Sequence, residues 1–256
     1  MRRALLLLLA ATAAAGIEGK GYLLREIKAY DPTELPKGPA IDRRLEEFRE
    51  KASARARKEH ARDPDWRHFI PDHFERNVLL LKRELLAARA KEHAEALAAC
   101  GAGDDLATAQ ALCELFVALE RRMAKIADGR AEMTARALSL YSGDPMRPDR
   151  SIPSANRPEV MQVRTDEQIL RDLSDHFLSL RVDVARRLRE QRSPEAARFL
   201  LDGGLRRSPE PRLRAKIAEI LSEREETTAD AFVAALDSET DPGVRAALAS
   251  CLGRLG

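Results

Sequence analysis

Between about Asp105 and Tyr141, the residues Leu112, Phe116, Leu119, Met123, Ile126, Arg130, Met133, Ala137 and Leu140 recur at alternating steps of four and three. Steps of that kind keep one side of an α-helix apolar, and the heptad they trace is a seam for a second helix. A helix over this stretch would span about 50 Å at 1.5 Å per residue. It cannot bury such a face alone. The preceding stretch, from about Pro71 to Cys100, supplies a partner, with Phe74, Val78, Leu81 and Leu85 on one face. Gly101-Ala102-Gly103 breaks the helix between them, and Asp104 or Asp105 caps the next one. The pattern therefore predicts a long antiparallel helical hairpin, coiled-coil-like, interrupted in its seam only by Arg130. An arginine there is either a buried charge with a functional partner or, more often, one that snorkels to solvent or pairs with a glutamate on the facing helix of the hairpin.

Composition agrees with a chain built from helices. Aromatic residues make up 4% and charged residues 34%, a mixture that disfavours β-sandwiches, whose strands need aromatic and β-branched runs. The 44 basic and 42 acidic side chains are interspersed, for a net charge of +2. Nucleic-acid binders gather positive charge into a stripe, so no nucleic-acid partner is expected.

The first residues read as an address. Arg2 and Arg3 precede an apolar run from Ala4 to Ala15, and Ala13-Ala14-Ala15 forms a small-residue cleavage site ahead of Gly16. The run is too short to cross a bilayer as a helix, which makes 1–15 a signal peptide. The mature chain is then exported to the periplasm or extracellular space of a bacterial envelope, with no membrane insertion after cleavage.

Residues 16–40 read as an irregular arm, because Gly16, Gly19, Gly21, Pro32, Pro36, Gly38 and Pro39 interrupt every periodicity. Helical spacing begins with Ile41, Leu45, Phe48 and Ala52 and runs to about Ala61, so 41–141 forms the hairpin domain. Gly143, Pro145, Pro148, Pro153 and Pro158 make 142–164 a proline-rich linker. Thr165 with Gln168 then forms a capping box that opens a helix burying Ile169, Leu173, Phe177, Leu180, Val184 and Leu188.

From Ser193 the helices become short. Ser193-Pro194-Glu195 is a cap with proline at the first helical position, and Gly203-Gly204 ends that helix. A shift of 31 positions aligns Glu210-Pro211 with Asp241-Pro242 and Leu213-Arg214-Ala215 with Val244-Arg245-Ala246. It also aligns Ile217-Ala218 with Leu248-Ala249, and Ile220-Leu221 with Cys251-Leu252. A fixed period of this size, with a helix pair in each unit, signals a solenoid. Asp241-Pro242-Gly243-Val244-Arg245, followed by Ala247-Leu248 and Leu252-Gly253, resembles the second helix of a HEAT repeat of the short bacterial kind. The resemblance covers 193–256. It implies a stacked helical array that binds another protein, with Arg214, Arg245, Val244, Leu248 and Leu252 as candidate surface residues, and it implies no chemistry.

One cluster could carry chemistry: His60, Asp63, Asp65, His68, Asp72 and His73. Imidazoles and carboxylates at this density can ligate zinc or a related ion, with His60, His68, His73 and Asp65 as the candidate donors. The spacing matches no standard site, and Pro64 and Pro71 leave the geometry open, so the plainer reading is a solvated hinge whose aromatics pack onto the hairpin. His93 and His176 sit beside apolar faces as partly buried bystanders. The chain has no Gly-x-Ser-x-Gly elbow, no phosphate-binding glycine loop and no haem-attachment motif. Cys100, Cys113 and Cys251 read as small buried hydrophobes. The sequence thus predicts an all-α chain, a hairpin followed by 165–256 as a helix plus HEAT-like solenoid. It would act as an exported interaction or scaffold protein, with no cofactor and no catalysis of its own. The alternative is an accessory domain of an envelope enzyme or a metal-binding protein that uses the His60–His73 cluster.

Overall fold

A computed structural model describes residues 18–100, 106–142, 157–191, 193–223 and 229–255, and among these there is no strand. The expected signal peptide at 1–15, the expected hairpin turn and most of the expected linker lie outside the described residues. Helix α1 covers 18–29, α2 Pro39–Glu59, α3 Ile70–Cys100, α4 Leu106–Ser142 and α5 Pro158–Glu190. Helix α6, Pro194–Phe199, continues as a π-helical turn over Leu200–Arg206, followed by α7 Pro211–Ser222, α8 Ala229–Ser238 and α9 Pro242–Leu255. No helix among the described residues is long and apolar enough to cross a membrane.

The chain divides into two compact units, one of Asp31–Ala90 with Ala124–His176, the other of Met1–Tyr30, Lys91–Met123 and Phe177–Gly256. The divisions fall inside α3, α4 and α5, and they do not coincide with boundaries at 41, 142 and 165. In the first unit α5 is tied to α3 by Lys82–Asp166 and Arg83–Asp172, each at 2.6 Å. It is tied to α4 by Arg130, which reaches Glu167 at 3.0 Å. The seam arginine thus pairs with a glutamate of α5 and not with one on α3, the facing helix of the expected hairpin. Burial works to raise the Glu167 carboxyl, but hydrogen bonds from Arg130 and Arg171 outweigh it and hold the group low.

In the second unit the seam is dry where α4 begins. Leu112, Phe116 and Leu119 are buried and Met123 is half-covered, while in the first unit Ile126 is buried and Arg130, Met133 and Leu140 are half-covered. Phe116 also carries the guanidinium of Arg181 over its ring at 4.2 Å. Arg181 is 1% exposed, and its Nη2 donates to Glu120 at 2.6 Å. All six positions expected to be buried on α5, from Ile169 to Leu188, are buried.

Three expectations need correction. Residues 18–29 form a helix and not an irregular arm, with Leu23 and Ile27 in the core. The reason is contact: a Cβ on Gly19 would stand 2.6 Å from the carbonyl oxygen of Ala96, so this glycine lets α1 lie against the α3 backbone. Second, α5 begins at Pro158 and not at Thr165, because proline is well suited to the first helical position. Thr165 is instead a buried interior residue that hydrogen-bonds Glu75. Third, Gly203-Gly204 does not end its helix, which runs on to Arg206 as the π-helical turn. Gly204 is buried under Ile217 and the Phe116 ring, and that packing holds the chain helical.

The C-terminal helices pack as neighbours. Helix α7 lies against the Leu200–Arg206 turn and against α9, and α8 lies against α9. Three of the pairs that match at 31 residues are core in both copies, Leu213 and Val244, Ile217 and Leu248, Ile220 and Cys251, whereas Ala218 and Leu221 are buried and their counterparts Ala249 and Leu252 are exposed and half-covered.

Candidate metal centre

The end of α2 and the start of α3 converge on three side chains. Helix α2 closes with Glu59 in its last turn and His60 as C-cap, where the His60 amide donates to the carbonyl of Ala56 at 2.9 Å. The chain then turns through Asp63, whose carboxylate accepts from the Asp65 amide at 2.8 Å. A short 3-10 turn, Trp66–Phe69, leads into α3 and packs against α2. His73 lies in the opening turns of α3. Glu59, His60 and His73 each offer one donor atom, and the three donors lie within 4.8 Å of one another.

Each side chain is held from outside the cluster. The His60 ring stacks on Phe69, with centroids 3.6 Å apart and planes 9° apart, which fixes its orientation. Glu59 accepts from Arg55 Nε through Oε1 at 2.7 Å and turns Oε2 toward His73. His73 is 4% exposed, and neither ring nitrogen has a hydrogen-bond partner among the described residues. Its Nε2 stands 3.5 Å from Glu59 Oε2, beyond the 2.7–3.2 Å of a good N–H···O bond. Leaving a buried donor and acceptor without partners costs about 1–3 kcal/mol each.

The charge states follow from these surroundings. Burial lowers the His73 pKa, a shift that nearby Glu59 and Asp72 only partly oppose, so the imidazole is neutral at neutral pH. The Arg55 bond lowers the Glu59 pKa, so the carboxylate is ionised. Neutral imidazole and ionised carboxylate are the forms that bind a cation.

Of the four donors expected from sequence, the structure brings together His60 and His73 and leaves out His68 and Asp65. Both lie in the turn between the helices, where the backbone amide of His68 donates to the Asp65 carbonyl at 2.9 Å, and their side chains are not part of the three-donor group. Asp72 pairs with Arg76 at 2.6 Å. Glu59 was not among the expected donors. The signal was its place directly before His60, on a helix so rich in glutamate that no single one stood out.

The expected interaction residues divide between core and surface. Val244 and Leu248 are 1% and 0% exposed, and both belong to the core. Arg214 is engaged by Glu239 at 2.8 Å and by the Ser208 carbonyl. Arg245 is exposed and donates to the carbonyls of Leu236 and Glu239, while Leu252 is half-covered. Val244 and Leu248 are thus unavailable to a partner, whereas Arg245 remains on the surface. His93 is fully buried, its ring edges near Tyr22 and Tyr30. The three cysteines are free thiols; burial pushes Cys100 up, and burial with Glu114 pushes Cys113 up to about 11, which leaves both unreactive.

Set against known proteins, the chain matches no family model, no curated protein and no solved structure.

Proposed function

We propose that the chain is an exported interaction protein that docks another protein on a short HEAT-like helical array and carries out no catalysis itself. The observation behind this reading is the pairwise burial at a period of 31 residues, Leu213 with Val244 and Ile217 with Leu248, on helices that lie against each other. Each of α7 and α9 has its own preceding helical segment against it, the Leu200–Arg206 turn and α8. That arrangement supports two stacked helix pairs, the unit from which solenoids are built. The long α3 and α4, read as an antiparallel hairpin, would be the second structural element of the scaffold. Export rests on the leader-like residues 1–15.

The docking face in this reading is the outward side of α9, where Arg245, Ala246, Ala249 and Ser250 are exposed. A photoreactive benzoylphenylalanine at Ala249, irradiated in the native host, should give one discrete adduct, and the same probe at Lys51 on α2 should not. The purified partner should then bind the full chain, and Arg245→Glu should weaken that binding by about tenfold, the cost of one lost rim charge pair or more. Equal adducts from both positions, or none from α9, would remove the proposal. Mass analysis of the recovered chain tests export separately: a start near Gly16 is the expected result.

A further inference from the structure

We propose that Glu59, His60 and His73 bind one zinc-class divalent ion and thereby staple the end of α2 to the start of α3. This site is independent of the docking surface argued above. Two imidazole nitrogens and one carboxylate oxygen, mutually within 4.8 Å, form a donor set of the right size to surround a single ion. The ligand type selects among ions. Magnesium and calcium prefer all-oxygen shells, whereas two imidazoles favour zinc and its neighbours in the transition series. Three protein donors leave a fourth position for water, as in open zinc sites.

The surroundings carry the argument past mere proximity. His73 is buried with both ring nitrogens unpartnered, and it faces the cluster. A bound cation would satisfy the nitrogen that the 3.5 Å approach to Glu59 leaves wanting. Arg55 holds one Glu59 oxygen and presents the other, as residues behind metal ligands commonly do. Phe69 fixes the plane of His60. Glu59 and His60 are adjacent in sequence and His73 is on the next helix, so one ion would close the whole 61–72 turn.

The test uses the full chain, stripped with a chelator and titrated with zinc chloride under reducing conditions. One equivalent should bind, and the thermal midpoint should rise with it. Cobalt in place of zinc should give visible ligand-field bands without the near-ultraviolet charge-transfer band of thiolate ligation, which distinguishes this site from Cys100, Cys113 and Cys251. His60→Ala and Glu59→Gln, which alter half-covered and exposed residues, should fold as the parent does and lose affinity by more than about 100-fold. Arg55→Ala should lose about tenfold, and His68→Ala should lose nothing. His73→Ala can fail to fold, so the decisive readout for that residue is the wild-type proton NMR signal of its ring, which should shift on zinc addition. Binding unchanged in His60→Ala and Glu59→Gln, a thiolate band with cobalt, or no stoichiometric zinc would each overturn the proposal.

Discussion

Arg181 shows what a single buried charge does in a helical core. It is 1% exposed, lies over the Phe116 ring and has Glu120 as its carboxylate partner. Burial lowers its pKa, and the Glu120 bond opposes that shift. Removing only that acid leaves a buried guanidinium without its hydrogen-bonded carboxylate, with the charge of Glu210 alone to oppose the burial. Glu120→Ala should therefore cost about 3 kcal/mol, and more than Arg181→Met, which removes the charge and keeps most of the volume. Chemical denaturation of the two variants side by side gives the comparison. Glu239 works in the opposite direction. Its bond from Arg214, with backbone amides of Asp241 and Thr240, holds its carboxyl below the usual range. A depressed carboxylate adds stability that is fully present above its unfolded pKa of about 4.3 and is lost as pH falls through the folded value. The thermal midpoint should accordingly drop between about pH 5 and pH 3, and Glu239→Gln should lower it at neutral pH while flattening that drop.

At the scale of elements, helices with strong periodicity were legible and helices with odd residues were not. The α3 and α4 spans follow from apolar spacing and from the Gly101–Gly103 break, and the six buried positions of α5 follow from the same rule. Helix α1 was hidden because Gly19 and Gly21 read as breakers, and only the 2.6 Å approach to Ala96 explains why one of them sits inside a helix. Gly19→Val should detach α1 from α3 and cost about 2 kcal/mol or more, measurable as a lowered thermal midpoint and faster amide exchange in 18–29. Gly38 precedes α2 at φ 157° and ψ 160°, a region essentially reserved for glycine. Gly38→Ala should cost about 1–3 kcal/mol at that cap. The candidate metal site was half legible. Histidine is scarce here, with five in the chain, so His60 and His73 stood out, whereas Glu59 is one of 42 acidic residues and needed coordinates.

On the scale of the molecule, charge and composition settled the all-helical class, but the partition of the chain came from contacts no sequence pattern records. The sequence separates 165–256 as a domain behind a linker. In the structure the C-terminal helices share a compact unit with Lys91–Met123, where the Phe116 ring meets Phe199 edge-on at 5.4 Å and Arg189 pairs with Glu223. Phe116→Ala should therefore lower the stability of the C-terminal helices as well as of α4, by about 3–5 kcal/mol in a cooperative transition. A fragment of 193–256 alone should melt well below the full chain, as followed by circular dichroism at the helical band.

The π-helical turn at Leu200–Arg206 has a further consequence for chain length. Leu200 and Leu205 are both buried, although five residues apart on an α-helix they would point about 140° away from each other. A wider turn brings them to one side by accommodating one more residue than an α-turn holds. The turn thus seats one residue more than α-helical spacing would place between the two leucines. Deleting Gly203 would leave the two leucines four apart, about 40° from alignment on an ordinary α-helix. A chain one residue shorter at this point should keep the same buried contacts, and its thermal midpoint should stay within a few degrees of the parent's.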